Sequence, residues 1–405
     1  MEKFKPIEWV LIDCASQYGL DKKSFEERLE KGKEIYSFLR KNGIDKTVAK
    51  YDKADEPDMF VRALISMSDI IKSGETAFPI GVDVASSGPQ IDTTGIRDEE
   101  GMVTTGAISD CVPNLYLDIQ KEMQKYLPVN LTREQVKKAT VPYVYGSTAV
   151  PKAVFGEYYG YFKKAFYKKV KGVVIVNNAL IDAWDPTKTV YEHVLPDGFT
   201  ARTISTEMKN FRMEIGRTSY TYMEEVLAPR EKGANGTKAL SANVTHSIDG
   251  YIWRELNRRC NWNEDKYYMA LNTLANPKGG KNPRLERLEM LSRKYHMTSW
   301  QAIEYLQSGY VGNVSEEYLK HLRDFLTPYK EPFEVMGIHD EFMCLPGNVS
   351  TLKQIYNDIL SELYRGVLLP QIISDYRGDD DIWEYVGKFN ESTYEKIKHS
   401  RYAIS

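Results

Sequence analysis

Two acidic residues stand at the ends of strand-like segments that lie far apart in the chain. Apolar residues alternate with other residues up to Asp83, and a second alternating segment leads into the turn that contains Asp340. The apolar positions are Phe78, Ile80 and Val82 before Asp83, and Phe333, Val335, Phe342 and Cys344 around Asp340. Because a period of two is typical of β-strands, we expect Asp83 at a strand end and Asp340 in a β-hairpin.

A pair of carboxylates in such positions could bind divalent metal ions. Mg²⁺ takes a few carboxylate ligands and leaves positions open for phosphate oxygens, and two ions roughly 3.5 to 4 Å apart can serve the attacking and the leaving oxygen of a phosphoryl transfer. Taken singly, either aspartate is more typical of a turn or of a solvated strand edge. The pair indicates phosphoryl transfer only if other residues support it.

The composition bounds the class of protein. The chain has 405 residues, of which 42% are hydrophobic, and this length predicts a globular protein with two or three subdomains. No apolar run approaches the roughly 20 residues of a membrane span, and the N-terminal residues lack the apolar core of a signal peptide. We therefore expect a protein without membrane partners in the cytoplasm, which is the host cytoplasm if a phage encodes the chain.

The net charge and the spacing of the cysteines exclude further classes of protein. The formal charge of -3 restricts any nucleic-acid contact to local patches, such as the lysine-rich segment 163–171, which a solvated helix face explains about as well. The four cysteines show no metal-type spacing, so we expect reduced, packed thiols rather than a disulfide frame or a zinc site.

One predicted helix carries polar residues on a single face. Thr132 with Gln135 forms a capping box that opens it. Arg133, Lys137 and Tyr145 recur at helical spacing, so a guanidinium, an ammonium and a phenol share one face. Pro142 is expected to interrupt this helix, because proline cannot donate to the carbonyl four residues before it.

Other elements follow from local signals. A capping box at Ser24 predicts a helix that stops before Gly43, and an apolar stripe after Ser350 predicts another that ends at Gly366. The run Val173–Val176 is interpreted as a short buried strand, and Pro196–Gly198 as a turn. The segment 257–330 is expected to be polar and mostly helical.

Five motifs occur in an order that a known family shares. They are Asp83-Val84-Ala85-Ser86-Ser87-Gly88-Pro89-Gln90, then Arg133 and Lys137 leading to Tyr145-Gly146-Ser147, then Pro196-Asp197-Gly198-Phe199, then His246-Ser247-Ile248-Asp249-Gly250, and finally His339-Asp340. In content and order they resemble the single-subunit RNA polymerases of T-odd bacteriophages and of mitochondria. The resemblance runs from about residue 58 to residue 405 and is weakest over 257–330. Within this family it is closest to the larger subunit of a split, two-subunit RNA polymerase that transcribes the middle genes of certain podoviruses.

The resemblance implies roles for residues in the transfer reaction. Asp83 and Asp340 match the two metal-binding aspartates, so two Mg²⁺ ions are implied as cofactors, with the backbone of Val84 as a further ligand. Lys137 matches the lysine that contacts the triphosphate, and Arg133 matches the arginine one turn before it. A cation at this place would neutralise the charge on the departing pyrophosphate.

The resemblance also implies residues that recognise the sugar. Tyr145, followed by Gly146, matches the tyrosine placed at the sugar of the incoming nucleotide and at the templating base. His246 matches the histidine credited with a contact to the ribose 2′-hydroxyl, and its neighbours suggest a loop. His339 is expected to support the hairpin or the primer end rather than to act as a base.

Three positions depart from the family pattern. Val84 stands where the family usually has glycine, and its side chain is expected to crowd the backbone near the metal. Val141-Pro142 replaces the usual Met-Thr, which puts the geometry of the helix in question. Glu341 replaces the usual serine, and His-Asp-Glu is the form found in repair-type DNA polymerases.

These observations favour an enzyme over other classes. The favoured reading is a DNA-templated RNA polymerase acting on ribonucleoside triphosphates, a DNA template and an RNA product; the alternative is a DNA polymerase or primase-like enzyme of the same fold. Against the alternative, residues 86–90 contain no glutamate that could block a 2′-hydroxyl. A nonenzymatic nucleic-acid-binding protein is disfavoured because both aspartates occur with Arg133 and Lys137. A metal-dependent nuclease would not call for Tyr145-Gly146.

The resemblance implies an α+β fold with a right-hand palm, built on an antiparallel sheet, and mostly helical fingers. The expected parts are 1–110 with the first aspartate, 111–245 as fingers, and 246–405 with the second aspartate and a helical insertion at about 257–330. Only 82 residues precede Asp83, where the family carries a thumb and promoter-binding parts. We therefore expect a second protein subunit to supply these parts.

Overall fold

The chain combines helices with three small antiparallel sheets in a computed structural model that describes residues 4–233, 238–328, 330–338 and 340–405. The expected α+β class is confirmed. The strands in the described residues are β1 (Ile80–Asp83), β2 (Val190–Val194), β3 (Thr200–Ile204), β4 (Thr206–Ile215), β5 (Thr218–Leu227), β6 (Met336–Ile338) and β7 (Glu341–Cys344).

The central sheet has the order β1-β7-β6, and all its pairs are antiparallel. The hairpin of β6 and β7 places Asp340 at its turn, as the sequence predicted. In the register of β1 against β7, Val82 is opposite Phe342 and Asp83 is opposite Glu341. Since Val82 and Phe342 are buried, the alternation of strand side chains turns Asp83 away from the core.

Four helices precede β1 and pack beside it. They are α1 (Pro6–Ala15), α2 (Phe25–Asn42), α3 (Ile44–Lys50) and α4 (Pro57–Ser73), with a π-helical segment (Ser16–Leu20) after α1. The capping box at Ser24 opens α2, which ends before Gly43 as predicted. Arg62 of α4 forms an ion pair with Asp13 of α1 at 2.9 Å and donates to the carbonyl of Pro79, so it ties both helices to the chain entering β1.

The helices that follow β1 are α5 (Ser87–Gly95), α6 (Glu99–Thr105), α7 (Leu115–Gln124), α8 (Arg133–Val144), α9 (Ala149–Phe155), α10 (Tyr159–Lys169) and α11 (Lys171–Asp182). The run Val173–Val176 lies inside α11, so its interpretation as a strand was wrong. A short apolar run has the same appearance in a buried helix and in a buried strand, and here the helix extends well beyond it.

Two hairpins separate these helices from the rest. The turn Pro196–Gly198 joins β2 to β3 as predicted, and buried Asp197 accepts from Arg254 at 2.6 Å and from Arg258 at 3.0 Å. Strands β4 and β5 form a two-stranded ribbon of ten residue pairs in which nearly every side chain is exposed.

The remaining helices are α12 (Ala239–Cys260), α13 (Glu264–Ala275), α14 (Pro283–Tyr295), α15 (Ala302–Leu306), α16 (Glu316–Phe325), α17 (Val349–Arg365), α18 (Leu368–Arg377) and α19 (Glu391–Lys398). The described part of the segment 257–330 is mostly helical, as expected. Helix α17 ends at Gly366, also as expected. No described helix is both long and apolar enough to cross a membrane.

Buried apolar side chains form two clusters. The larger joins the N-terminal helices, β1, β7, α12 and α17, while the smaller runs from Leu115 to Val173. The expected boundaries at 110 and 245 stay predictions. Cys14, Cys260 and Cys344 are buried free thiols as predicted, but Cys111 is exposed.

Stability should fall in mild acid because of His193. Its ring is buried and contacts Tyr376 Oη and Ser247 Oγ, each at 2.8 Å, and burial lowers its pKa to about 4. Between that value and the ordinary pKa of about 6.5, the unfolded chain binds a proton that the folded chain does not, so unfolding becomes easier as pH falls. Between about pH 7 and pH 5 this proton uptake should lower the free energy of unfolding by about 2 kcal/mol.

Urea denaturation at both pH values measures this loss in the parent and in His193→Gln. The variant should lack this part of the pH dependence. The control is His399→Gln, because His399 is exposed directly after α19. Equal pH dependence in the parent and in His193→Gln would contradict the assignment.

Candidate active site

A cleft of about 710 Å³ opens between the central sheet, the N-terminal helices and α8. Its lining includes Asp83, Val84, Asp340, Arg133, Lys137 and Tyr145, together with residues of α1 and of the loop before α2. The structure therefore gathers six of the predicted site residues around one space. Gly146 and His246 are not among the described residues that line the cleft. His339 lies outside the described residues.

The two carboxylates meet because their strand ends are hydrogen-bonded to each other. The amide of Val84, directly after β1, donates to the carbonyl of Asp340 at 3.1 Å. The shielding walls of the cleft raise the pKa of Asp83 to about 7, and the charges of Asp340 and Glu341 raise it further than burial alone would. A cation bound beside Asp83 would relieve this concentration of negative charge.

The edge of β1 that faces away from β7 is also hydrogen-bonded. The Asp83 amide donates to the carbonyl of Ser405 at 3.4 Å, and the Ser405 amide donates back to the Asp83 carbonyl at 2.9 Å. Lys353 of α17 is buried and donates to the carbonyls of Arg401 and Ile404, which keeps this segment against β1. The backbone of Asp83 is thus fixed on both sides.

Helix α8 presents its predicted face to the cleft. The capping box of Thr132 and Gln135 is present, and Arg133, Lys137, Val141 and Tyr145 all line the cleft. The expected interruption at Pro142 was wrong, since α8 continues to Val144. Proline lies in the last turn, where only the bond to the carbonyl of Lys138 is lost and few further bonds depend on it.

Arg133 has free hydrogen-bonding capacity toward a ligand. Its guanidinium lies 5.3 Å from the centre of the Tyr116 ring and forms an ion pair with exposed Glu134 at 3.0 Å. In the part of the chain that the structure describes, its buried Nε has no hydrogen-bond partner. A buried donor without a partner is costly, and the side chain, which is 30% exposed as a whole, borders the cleft.

Tyr145, directly after α8, contacts helices α5 and α12. A side chain at Gly88 of α5 would come within 3.0 Å of the Tyr145 hydroxyl, and the rings of Tyr145 and His246 have centroids 4.9 Å apart. Burial, followed by the charge of Asp92, raises the pKa of Tyr145 to about 12, so the phenol is a hydrogen-bond donor at neutral pH. Gly146 has a φ of 81°, a conformation that favours glycine and ends the helix here.

His246 lies within α12, so the expectation that it lies in a loop was wrong. A polar residue flanked by Ser247 and Asp249 appears loop-like, but the apolar residues at helical spacing are buried beneath it. Asp92 of α5 accepts from Thr245 at 2.9 Å, which fixes α12 beside α5.

The cleft contains charged residues that the motifs did not indicate. Lys22, in the loop before α2, lines the cleft, and its charge opposes the rise in the pKa of Asp83. The side chain of Glu341 lies over Gly81, where any side chain would collide with it. Burial, opposed by Arg62 and supported by the charge of Asp340, raises the pKa of Glu341. No local pattern marks Lys22, because only the packing of α1 and α2 brings it to the strand end.

The possible metal ligands in the cleft are few and are oxygen atoms. They fit Mg²⁺, which also takes water and phosphate ligands, better than a metal ion that is held only by protein side chains. Asp83 and Asp340 are oxygen donors, and the described residues that line the cleft include no cysteine or histidine. The described residues also contain no group of three or more histidine, cysteine or acidic side chains arranged to hold a metal ion. Mg²⁺ is commonly bound by one or two carboxylates with the remaining positions taken by water and substrate phosphates. The Val84 side chain is buried in the larger core cluster, and the expectation that it crowds the backbone near a metal ion stays a prediction.

Comparison with known proteins provides no identification. The sequence matches no protein-family profile and no curated protein. Any functional proposal therefore depends on the residues of the cleft.

A double-mutant cycle tests the contact between Gly88 and Tyr145. Gly88→Ala should reduce stability more in the parent than in Tyr145→Phe, with a coupling of about 0.5–1 kcal/mol, because the hydroxyl is the nearest atom. Urea denaturation of the four proteins gives the coupling. At Gly160 of α10 nothing lies within 4 Å of an added Cβ, so Gly160→Ala should show no coupling to residue 145. If the effects of Gly88→Ala and Tyr145→Phe on the free energy of unfolding were additive, the contact would be contradicted.

Proposed function

We propose that this chain is the catalytic subunit of a DNA-templated RNA polymerase, which adds ribonucleotides to the 3′ end of an RNA. The observation that carries the proposal is the position of Asp83 and Asp340 across one cleft from Arg133 and Lys137. Carboxylates for metal ions opposite cations for a triphosphate are what nucleotidyl transfer requires. In this proposal the sheet β1-β7-β6 is the palm and α7–α11 belong to the fingers.

The cations would bind the triphosphate. Lys137 is exposed in the cleft, one turn after Arg133, so both can contact neighbouring phosphates of one nucleotide. Lys22 approaches from the opposite wall. In such a site the 3′-hydroxyl oxygen attacks the α-phosphorus, the bond from that phosphorus to the β-phosphate bridge oxygen breaks, and pyrophosphate leaves with the negative charge that these cations stabilise.

The carboxylates would hold two Mg²⁺ ions, with the Val84 carbonyl as a further ligand. When bound, these ions supply charge neutralisation and a more acidic 3′-hydroxyl. The chain itself contributes the spacing of the ligands, because the pairing of β1 with β7 fixes both aspartates before any ion binds.

Tyr145 and His246 would distinguish the sugars. Both rings are in contact, and the loop from Asp83 to α5 contributes only small or apolar side chains beside Tyr145, so a 2′-hydroxyl is not excluded there. The alternative, a DNA polymerase or primase-like enzyme of the same fold, draws support from Glu341, which lines the cleft directly after Asp340. Comparing ribonucleotide with deoxyribonucleotide addition decides between the two.

A DNA template and an RNA product would be the macromolecular ligands of this cleft. The second protein subunit, expected to supply a thumb and promoter-binding parts, stays a prediction. Activity is therefore to be measured for the chain alone and for the complex that copurifies with it.

Loss of either carboxylate should abolish nucleotide addition. Asp83→Asn and Asp340→Asn are each expected to lower the rate of primed RNA synthesis about 100-fold or more. Lys137→Ala is expected to lower this rate about 10-fold or more. In all three variants the affinity for the template should be nearly unchanged. Asp110→Asn and Lys138→Ala are the matched controls, because both residues are exposed and lie outside the cleft. Near-parental rates in an aspartate variant with Mg²⁺ would refute the two-metal site.

Sugar choice should depend on the Tyr145 hydroxyl. Tyr145→Phe is expected to raise deoxyribonucleotide addition relative to ribonucleotide addition by roughly 10-fold, because a site that donates to a polar partner loses discrimination without that donor. Tyr143→Phe, in the same helix and packed against Phe162 and Phe166, is the control. The measurement is the ratio of single-nucleotide addition rates, and an unchanged ratio in Tyr145→Phe would reject this role.

A further inference from the structure

Two exposed tyrosine rings stack on each other on the surface of the helical region around α7 and α10. Tyr126 lies just after α7 and Tyr161 lies in the first turn of α10, with ring centroids 6.4 Å apart and an angle of 21° between the ring planes. Tyr126 is 63% exposed and Tyr161 is 42% exposed. A large part of this flat apolar surface therefore faces solvent.

Lysines surround these rings in fixed positions. Lys164 and Lys168 follow Tyr161 by three and seven residues, so they share its face of α10. Lys125 and Lys168 contact the two carboxylate oxygens of Glu122 at 2.7 and 2.9 Å, and the Glu122 side chain is only 5% exposed between them. One carboxylate thus orders two ammonium groups and leaves the group positively charged.

The positive charge is local. Helix α10 contains Lys163, Lys164, Lys168 and Lys169 and no acidic residue, whereas the whole chain has a formal charge of -3. Three acidic residues lie near this face: Glu122 is paired with two lysines, Glu100 influences Lys168, and exposed Glu157 lies four residues before Tyr161. A polyanion would be attracted to this face in spite of the net charge of the protein.

We propose that Tyr126, Tyr161, Lys125, Lys164 and Lys168, here called the tyrosine platform, bind single-stranded nucleic acid. Aromatic rings stack on base faces that a duplex hides, and lysines beside them contact the phosphates. Helix α7 begins at Leu115 in the lining of the cleft and is about 15 Å long, so the platform lies at its far end. A strand that enters or leaves the cleft along α7 reaches the platform.

This binding requires no catalysis and goes beyond the proposed function. It is tested with a fluorescein-labelled oligodeoxythymidylate of about 15 nucleotides, without nucleotides or Mg²⁺, by fluorescence anisotropy. The double variant Tyr126→Ala/Tyr161→Ala should bind about 10-fold or more weakly, whereas Tyr126→Phe/Tyr161→Phe keeps the rings and should bind as the parent does. Lys164→Gln should lower the slope of log affinity against log salt by about 0.7.

A second measurement separates the platform from the cleft, which could also bind the oligonucleotide. Ultraviolet crosslinking followed by mass spectrometry should attach the oligonucleotide to Tyr126 or Tyr161. The proposal is overturned if the alanine double variant binds as the parent does and no crosslink maps to the platform. It is also overturned if a duplex of the same length binds equally well and loses affinity equally in that variant.

Discussion

The antiparallel pairing of β1 with β7 is the interaction on which the candidate site depends. Only four residue pairs form it, and Val82 opposite Phe342 supplies its buried apolar contact. Strand side chains alternate between faces, so a shift of one residue would turn Asp83 toward the core and Val82 into the cleft. The burial of Val82 and Phe342 therefore sets the register, and the register places Asp83 beside Asp340.

Such short strands are marginal without support from elsewhere. Arg62 links α4 to α1 through Asp13 and to the chain entering β1 through the Pro79 carbonyl. On the other side, Ser405 pairs with Asp83, and Lys353 holds the segment before it. Burial without an acidic partner lowers the pKa of Lys353 well below its usual value, and two carbonyl groups satisfy its ammonium instead. Parts of the chain that are remote in sequence thus stabilise the strand that carries Asp83.

The opposite wall of the cleft depends on close packing between helices. Gly88 allows the Tyr145 hydroxyl to approach α5, and Asp92 binds Thr245 of α12 one residue before His246. Gln90, between these positions, donates to the carbonyls of Thr105 and Ala403 and accepts from Tyr356, so this part of the first motif is structural. The motif therefore carries both Asp83 and the packing that brings Tyr145 and His246 together.

Local sequence determined much of the site. Alternation identified the strand ends at Asp83 and Asp340, and a capping box with helical spacing identified the face of Arg133, Lys137 and Tyr145. These signals are reliable because they depend on periods of 2 and 3.6 residues within one element. The α+β class, by contrast, was what the resemblance of the five motifs implied.

Tertiary structure alone decided how these elements face each other. It brought Lys22 to the strand end, laid Glu341 over Gly81 and paired Tyr126 with Tyr161, none of which is encoded by spacing along the chain. It also decided between helix and strand for Val173–Val176, which lie in a helix because α11 packs into a core assembled from distant segments. Local periodicity specifies which face of an element is apolar, but only the packing of the whole chain specifies what that face meets.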